Sequence, residues 1–579
     1  MQRPAYLHGK QRLSWLLLLL VATALLALGI GLRDPWPADE PRFALNALEM
    51  LDTGHFWIPH RGGEPYPDKP PVFMWASAAS IALTGSVRLG FLIPSLIGAL
   101  GSLALVMDLS RRLYGRRVAF LAGAALLSTL QFVLQAKTAQ IDMLVTLWIT
   151  LGAYGMLRHA LLGPARRWWF IGCASMGLGV ITKGVGFLPL LMLPAWGLLA
   201  WRGQATRLAW KDLALGLATL VGTIALWAVP MALITTFSDD PTLAAYRDNI
   251  LFKQTGQRYA ESWHHLKPWY YYLVEVIPWA WLPLILGLPW LVPAWWHRTR
   301  RLDARVLLPL SGVILLVGFF SLSPGKRGVY MLPGVPLLVL AMAPLLPGLL
   351  CKRWLHWLGA GLVAVLGGIF LVAGILGAAG LPALADLAAK YSVSPWLWWI
   401  VLGLAAAALL YALRPRRGML ALAGWLVVFW GLWSTWGYQQ LDGTRSPRDM
   451  MQHVAQLTGS DAWLAMPAFD EEFLLQARQP TVHFGFKTPE PAQLERAFAW
   501  LDAAPATRWM FVDQGMTEEM PCADLSQARD LGLQNNDHWL LIPGTAFGEC
   551  HGDADAAPLY VAPTTLAGHA SPPDGTGNG

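Results

Sequence analysis

The sequence predicts an α-helical polytopic membrane protein with a soluble α/β domain at its C-terminal end. The 579 residues are 55% hydrophobic and 14% charged, whereas soluble domains are about 25% charged. Apolar stretches of transmembrane length, roughly 17–25 residues, recur along the first three quarters of the chain. The charge then changes sign, because residues 438–579 hold seven Lys or Arg and 19 Asp or Glu, against 36 and 17 in the remainder. We therefore expect two domains, 1–437 within the membrane and 438–579 outside it.

About thirteen transmembrane helices are expected in the first domain. The first, at about Leu13–Leu32, is expected to remain uncleaved, and the segments end near residues 32, 105, 134, 156, 181, 201, 234, 296, 320, 351, 377, 413 and 436. The N-terminus and every second loop carry 22 of the 43 Lys and Arg residues. The positive-inside rule makes those parts cytoplasmic. The alternate loops (34–82, 135–142, 182–184, 235–268 and 321–330) and the tail then face the opposite side.

The basic residues of the first domain do not predict nucleic-acid binding. They stand in short loops between apolar spans, where Lys and Arg are expected as membrane anchors. The partners that composition favours are therefore membrane lipids.

The acidic tail has the pattern of an α/β domain. Short apolar runs at 462–466, 509–512 and 539–542 predict strands, and residues 491–501 have helical spacing. The stretch after about Thr564 is rich in Gly, Pro and Ser and is expected to be disordered. Cys522 and Cys550 can form a disulfide if the tail faces an oxidising compartment, and otherwise remain two thiols; their spacing matches no metal site.

A long charged loop, Asp34–Trp75, separates the first two apolar segments. It carries Asp39, Glu40, Arg42 and Lys69, and its prolines break helices. Loops of this length are uncommon as mere connectors and more often functional. We therefore expect this loop to be the active-site loop of a membrane enzyme.

The other non-cytoplasmic loops add further ionisable residues: Asp142, Lys183, Arg247, Lys253, Arg258, His264, His265, Lys267, Lys326, Arg327 and Tyr330. Lys and Arg are normally depleted on that side of a membrane. An anionic ligand such as a lipid phosphate would explain their presence, since Lys and Arg bind phosphate through charge-assisted hydrogen bonds. The alternative is pairing with lipid headgroups or with acids of the same loops.

Several motifs in these loops resemble one family. The sequences Asp-Glu-Pro-Arg (39–42), Thr-Gly-His-Phe-Trp-Ile-Pro (53–59) and Asp-Lys-Pro-Pro (68–71) resemble the first periplasmic loop of ArnT-type glycosyltransferases. The similarity continues at 140–142, 181–184, 257–259, 264–272 and 324–330. Members of this family have the GT-C membrane fold, are related to protein O-mannosyltransferases, and transfer a sugar from a polyprenyl-phosphate carrier outside the cytoplasm. The resemblance implies a bacterial inner-membrane protein with a cytoplasmic N-terminus and a periplasmic C-terminal domain.

The resemblance also implies roles for individual residues. Asp39 would be the central catalytic carboxylate, with Glu40 beside it. Substrate-binding residues would be Arg42, Lys69, Asp142, Lys183, Arg258, His265, Lys326 and Tyr330, among which Lys69, Lys183 and Arg258 would hold the carrier phosphate. Phe43 and Asp68 stand where the family often has Tyr and Glu, and these departures bear on substrate choice.

The sequence thus predicts a glycosyltransferase that moves a sugar from undecaprenyl phosphate to an envelope acceptor, most simply lipid A with an aminoarabinose-like sugar. Transfer to a protein hydroxyl or to another envelope glycan is the alternative within the class. A polyprenyl-phosphate flippase and a non-catalytic envelope scaffold are alternatives from other classes. No cofactor is required, because cationic side chains can stabilise a leaving phosphate; a divalent metal, with His264 and His265 as a ligand pair, stays open.

Overall fold

The chain folds as two compact units. The computed structural model describes residues 17–252, 266–391, 393–459, 461–548, 550, 552 and 560–561. The first unit comprises Met1–Ile30, Pro67–Phe73 and Leu92–Gly437, and the second comprises Gly31–Tyr66, Met74–Phe91 and Tyr438–Gly579. The C-terminal stretch that the sequence predicts to be disordered lies outside the described residues.

Helices make up most of the first unit and part of the second. In chain order they are α1 (Leu17–Ala27), α2 (Glu40–Thr53), α3 (Val72–Thr84), α4 (Val87–Tyr114), α5 (Arg116–Ser128), α6 (Leu130–Ala136), α7 (Ile141–Leu162), α8 (Arg166–Lys183), α9 (Leu188–Trp201), α10 (Trp210–Thr236), α11 (Pro241–Asp248), α12 (Tyr272–Ala280), α13 (Leu284–Arg300), α14 (Ala304–Leu322), α15 (Gly328–Leu349), α16 (Arg353–Ala378), α17 (Pro382–Tyr391), α18 (Trp396–Leu413), α19 (Pro415–Arg445), α20 (Arg448–Thr458), α21 (Glu471–Gln476) and α22 (Glu490–Asp502).

Many of these helices can cross a membrane. Within the described ranges, eight are long and apolar enough by themselves, and up to ten spans result if each of two bent pairs counts as one. The pairs are α5 with α6, bent by 71°, and α12 with α13, bent by 102°. The helices α1, α3 and α9 are apolar but shorter. The predicted multi-pass helical fold is confirmed, while the number thirteen stays a prediction.

Close helix packing in the first unit depends on small residues. A Cβ atom on Gly155 of α7 would lie 2.3 Å from the Trp168 carbonyl oxygen of α8, and one on Gly367 of α16 would lie 2.2 Å from the Ala406 Cβ of α18. Helices in lipid gain little from hydrophobic burial against each other, so van der Waals contact at such close approaches is a main source of their association. The Gly/Ala-rich sequence of α16 therefore reflects packing rather than chemistry.

The second unit contains an α/β sheet. Its strands are β3 (Trp463–Ala465), β4 (Thr481–His483), β5 (Arg508–Asp513), β6 (Arg529–Gln534), β7 (Asp537–Pro543) and β8 (Tyr560–Val561), in the order β6-β7-β5-β3-β4-β8. The central strand β3 is parallel to both neighbours, β4 and β5, and the other pairings are antiparallel. A separate two-stranded hairpin comprises His60–Arg61 (β1) and Glu64–Pro65 (β2). The predicted strands correspond to β3, β5 and β7, and the predicted helix corresponds to α22.

Alternation along the strands separates two apolar layers. Leu464, Phe511 and Leu541 pack on one face of the sheet, in a cluster that also contains Phe473 of α21. The neighbouring residues Ala465, Met510 and Ile542 pack on the other face, in a cluster with Leu494 and Phe498 of α22. This period of two is the pattern expected for a sheet covered on both sides.

Part of the Asp34–Trp75 loop belongs to this second unit. Leu45 of α2 is buried at 1% exposure in the same cluster as Phe511 and Leu541. The division therefore differs from the predicted limits 1–437 and 438–579, because 31–66 and 74–91 fold with the tail. Hydropathy and charge, which set the predicted limits, cannot register an apolar contact between segments about 400 residues apart in sequence.

The turn between β6 and β7 is built on two asparagines. Asn535 and Asn536 have φ values of +55° and +77°, as a two-residue hairpin turn of type I′ requires. The Asn535 amide donates to Glu472 Oε1 at 2.9 Å. Burial, together with the neighbouring Asp470 charge, raises the pKa of Glu472 to about 7. This carboxyl group therefore titrates near neutrality.

A disulfide joins Cys522 to Cys550, whose Cα atoms are 5.2 Å apart. Cys550 is buried in the apolar cluster that contains Phe547 and the buried residues of α22. The alternative of two free thiols in the tail is thereby excluded, and Cys173 and Cys351 are the free cysteines of the described residues.

We expect loss of this disulfide to destabilise the second unit. The two cysteines are 28 residues apart, and closing a loop of that length is worth up to about 3.5 kcal/mol in the chain-entropy model. The double variant Cys522→Ser/Cys550→Ser should therefore unfold at a lower temperature than the wild type. Limited proteolysis of the tail at increasing temperature measures this difference. Cys351→Ser, which removes an exposed free thiol, is the control; equal protease resistance of all three proteins would contradict the expectation.

We also expect Glu472 to make the second unit more stable at acidic than at neutral pH. Its folded pKa of about 7 is above the unfolded value, so between about pH 4.5 and 7 the folded chain holds a proton that the unfolded chain has lost. This contribution is full below pH 4.5 and disappears as the pH rises through 7. Asp470, with a pKa of about 6, acts in the same direction, and His483, with a pKa of about 4, acts in the opposite one.

The informative quantity is therefore the difference in unfolding free energy between the wild type and Glu472→Gln. It should fall by up to about 3 kcal/mol between pH 5 and 7.5. Glu495→Gln, at an exposed position of α22, should show no such change. A pH-independent difference for Glu472→Gln would refute the assignment.

Candidate functional site

Asp39 stands at the N-terminal cap of α2, where the first motif of the loop begins. Its side chain is 16% exposed, and its carboxylate lies 3.6 Å from Nη1 of Arg42, one turn further along the helix. Gly54 ends α2 in the left-handed region, with φ of +74° and its N–H donating to the Met50 carbonyl. The predicted catalytic carboxylate is thus at the positive end of a helix dipole, where a negative charge is stabilised.

Glu40 is engaged by a buried arginine. Both of its oxygens accept from the Arg33 guanidinium, at 2.5 and 2.8 Å, and Oε2 also accepts from the Trp36 N–H at 2.8 Å. Arg33 is 2% exposed, and its guanidinium lies within about 5 Å of the ring centres of Trp36, Phe91 and Tyr438. A buried carboxylate held in this way fixes the start of α2.

A second ion network, which sequence reasoning missed, holds the start of the loop. Asp34, 2% exposed, accepts from Arg448 and from the Ser446 hydroxyl. Asp442 accepts from the Trp36 indole at 2.9 Å and from Arg88 at 2.5 Å. The only signal in the sequence is that Asp34 opens the loop directly after an apolar span. Its partners are far along the chain, so no local pattern could reveal them.

Arg42 and Arg61 share one carboxylate. The Nε atom of each lies 2.7 Å from Oε1 of Glu471, which is buried. Burial opposes the charge of Arg42, but the attraction of Glu471 outweighs it and raises the Arg42 pKa. Arg42 is therefore a permanent cation beside Asp39, and Glu471 is a further residue that the sequence did not single out.

In the first unit, three predicted site residues come together. Lys183 forms an ion pair with Asp142, and its ammonium lies 4.5 Å from the centre of the Tyr330 ring. Asp142 is in the first turn of α7 and Lys183 is the last residue of α8, the helix ends at which each charge is favourable. Their side chains are only 9% and 13% exposed. The result is a cation held in place between apolar helices.

Two other predicted lysines donate to backbone carbonyls. Lys326 is 4% exposed, and its ammonium donates to the carbonyls of Lys267, at 2.9 Å, and Ser323. The Lys69 ammonium donates to the Asp68 carbonyl at 2.9 Å. Both residues belong to the first unit. Lys326 thereby holds the chain before Tyr330 in place.

Gln131 is a polar residue in the first unit that the sequence analysis passed over. It is 2% exposed, and its amide donates to the Gly328 carbonyl at 2.9 Å. This bond ties α6 to the start of α15, which carries Tyr330. Two glutamines, Gln131 and Gln135, in a mainly apolar helix were the available signal.

The remaining predicted residues, Arg258 and His265, lie outside the described part of the chain, as do Lys253 and His264. The described residues do contain one group of carboxylates close enough to share a cation, Asp470, Glu471 and Glu472. Two of the three already have partners, since Glu471 binds two arginines and Glu472 accepts from Asn535. This donor set does not fit a metal centre.

The chain is similar to known proteins in both sequence and fold. Residues 68–232 match the family model described as dolichyl-phosphate-mannose-protein mannosyltransferase. The undecaprenyl phosphate-alpha-4-amino-4-deoxy-L-arabinose arabinosyl transferase of Enterobacter sp. (strain 638) is 31% identical over 331 residues, which are 55% of this chain and 56% of that protein. The match thus spans little more than half the length of that relative.

Two further similarities cover more of the chain. An arabinosyl transferase of the same name, number 1 of Pseudomonas fluorescens (strain Pf-5), is 31% identical over 415 residues, 69% of this chain and 71% of that protein. The crystal structure of ArnT from Cupriavidus metallidurans bound to undecaprenyl phosphate has the same fold, with a TM-score of 0.68 at 18% identity, covering 91% of this chain and 98% of that one. The resemblance to ArnT-type proteins and the GT-C fold class predicted from the motifs are confirmed. The chain belongs to the family of undecaprenyl phosphate-alpha-4-amino-4-deoxy-L-arabinose arabinosyl transferases.

Proposed function

We propose that this protein is an integral membrane glycosyltransferase that moves 4-amino-4-deoxy-L-arabinose from undecaprenyl phosphate to lipid A. The names of the relatives supply the donor and the sugar, and the solved ArnT carries the undecaprenyl phosphate carrier. The proposal places the reaction at the periplasmic face of the bacterial inner membrane, with the N-terminus in the cytoplasm and the α/β domain in the periplasm. The disulfide between Cys522 and Cys550 supports that side, since disulfides persist in the periplasm.

The observation that carries the proposal is the Lys183 ammonium, held by Asp142 against the Tyr330 ring. Cleaving a sugar from its phosphate carrier leaves negative charge on the phosphate. A fixed cation in a site with little water stabilises that charge more strongly than one in solvent. Asp142 orients the ammonium through their ion pair, and a phosphate oxygen can accept a hydrogen bond from one of the remaining ammonium N–H groups.

The other predicted residues have complementary roles in this proposal. Lys69 and Arg258 bind the same carrier phosphate, and Lys326, Tyr330 and His265 complete the donor pocket. Arg42, as a permanent cation beside Asp39, contributes to substrate binding. Glu40, whose oxygens are taken by Arg33 and Trp36, supports catalysis by fixing the start of α2.

Asp39 is the proposed reacting carboxylate, and its task depends on the acceptor. A lipid A phosphate is already anionic and needs no base, so Asp39 would orient the acceptor or stabilise positive charge that develops on the sugar carbon. A hydroxyl acceptor would instead require Asp39 to remove its proton. In either case a single displacement inverts the sugar carbon.

We expect Asp39→Asn to abolish transfer without unfolding the protein, since it removes the charge and keeps the shape. The rate with radiolabelled undecaprenyl-phosphate aminoarabinose and lipid A should fall at least about 100-fold, equivalent to about 2.7 kcal/mol. Asp52→Asn, at an exposed position near the end of the same helix, should leave the rate unchanged.

Mass spectrometry of lipid A gives the test in cells. A deletion strain that expresses the wild-type protein should add an aminopentose to lipid A, and one that expresses Asp39→Asn should not. Transfer by the Asp39→Asn enzyme would overturn the role of Asp39. An unchanged lipid A in the presence of active wild-type protein would overturn the acceptor.

Lys183→Gln should weaken binding of undecaprenyl phosphate. Loss of one charge-assisted hydrogen bond costs about 1.5–3 kcal/mol, or roughly 10- to 100-fold in Kd. Lys183→Arg, which keeps the charge, should bind more tightly than Lys183→Gln. Lys211→Gln, which removes an exposed cation of α10, is the matched control and should bind undecaprenyl phosphate as the wild type does.

Because Lys183→Gln leaves Asp142 buried without its ion-pair partner, a control must separate loss of binding from loss of folding. The double variant Lys183→Gln/Asp142→Asn removes both charges and should bind the carrier as weakly as Lys183→Gln alone. Recovery of wild-type affinity in the double variant would show that the effect came from the stranded carboxylate and would remove Lys183 from the phosphate site.

A further inference from the structure

The second unit contains a cavity of about 470 Å³ that the proposed reaction leaves without a role. Its wall is formed mainly by the segments that follow β3 and β4, with Arg61 of β1 completing it. The volume is within the range of about 300–1,000 Å³ typical of sites for small molecules.

The position of this cavity follows from the order of the strands. The chain leaves β3 through α21, on one face of the sheet, to reach β4. It leaves β4 through α22, on the opposite face, and returns past β3 to β5. The two connections therefore part at the carboxyl ends of β3 and β4. In open α/β sheets such a reversal leaves a crevice in which ligands characteristically bind.

The side chains of the wall combine flat apolar surfaces with charged groups. Phe469 follows β3 and Phe486 follows β4, and the Arg61 guanidinium lies 5.6 and 4.7 Å from their ring centres. Thr488 and Glu490 provide polar groups at the start of α22. Glu471 lies 2.7 Å from Arg61 and balances part of its charge.

This composition discriminates between classes of ligand. A nucleotide or other polyanion would meet Glu490 and would find Arg61 already paired with Glu471. An acyl chain would bury the Glu490 charge without a partner of opposite charge or a hydrogen-bond donor, which is costly. A sugar ring suits both the aromatic surfaces and the charged groups of the wall. Its C–H face packs on an aromatic ring, and its hydroxyls form hydrogen bonds with charged side chains.

We propose that the cavity bounded by Arg61, Phe469, Phe486 and Glu490 binds the amino-sugar headgroup of the acceptor glycolipid. This inference rests on the proposed function, since lipid A is a glucosamine disaccharide carrying phosphates and acyl chains. The cavity holds one sugar ring of the acceptor, with the phosphates and acyl chains of the acceptor outside it. It therefore acts on acceptor affinity, whereas the donor is recognised elsewhere.

The test uses the full chain in a detergent without a sugar headgroup, with the N-acetylglucosamine disaccharide as the probe and titration by saturation-transfer NMR. The wild type should bind the disaccharide at millimolar concentration or better. Phe486→Ala and Glu490→Gln should each weaken binding about fivefold, the loss expected for one aromatic contact or one hydrogen bond. Glu490→Gln is isosteric and so tests the site even if Phe486→Ala folds poorly.

Matched controls are available in the same domain. Leu533→Ala removes an exposed apolar side chain of β6, and Glu495→Gln removes an exposed charge of α22. Both should bind the disaccharide as the wild type does. In the transfer assay, the cavity variants should raise KM for lipid A about fivefold and leave kcat and KM for the donor unchanged.

The possible failures are distinct. Equal binding by cavity and control variants, no binding by the wild type, or displacement of the disaccharide by inorganic phosphate alone would each overturn the saccharide site while transfer continued. Disaccharide binding that depends on Phe486 and Glu490, in a protein that transfers no sugar to lipid A, would uphold the saccharide site and overturn the proposed function instead.

Discussion

The carboxylate of Glu471, shared by Arg42 and Arg61, is the interaction on which the arrangement of the second unit depends. Both guanidinium groups lie 2.7 Å from the same oxygen. One arginine comes from α2 and the other from β1, so a single buried anion fixes both to the start of α21. Removing it would deprive two partly buried cations of their shared partner, which is far more costly than loss of a surface ion pair. The same carboxylate holds Arg42 beside Asp39 and Arg61 in the cavity wall, so it couples the candidate site to the proposed saccharide pocket.

The sequence was sufficient for the features that have a local period. Hydropathy predicted the helical membrane fold, and alternation predicted β3, β5 and β7, because these signals depend on neighbours within a few residues. The strands β4 and β6 were missed. The chain of β4, Thr-Val-His, has only three residues, and β6 carries charged and glycine residues on an edge. Such segments become strands through pairing with β3 and β7 rather than through their own propensity.

The candidate site could be predicted only in part. Asp142 and Lys183 stood out as charges at the ends of apolar segments, and the structure joins them. Glu40 stood out equally, yet its oxygens are occupied by Arg33 and Trp36. A motif gives the type of residue but not its partner, and partners such as Asp34 with Arg448 lie 414 positions apart. Long-range ion pairs leave no trace in local composition, which is why Asp34, Asp442 and Glu471 escaped notice.

The separation of Arg42 from Glu471, 429 positions along the chain, has a consequence for biosynthesis. At a translation rate of roughly 5–20 residues per second, Arg42 leaves the ribosome about 20–90 seconds before its partner exists. During that interval α2 exposes Leu45 and the arginines without their binding partners. A chain interrupted before Glu471 therefore cannot complete the ion pairs that hold the segment bearing Asp39.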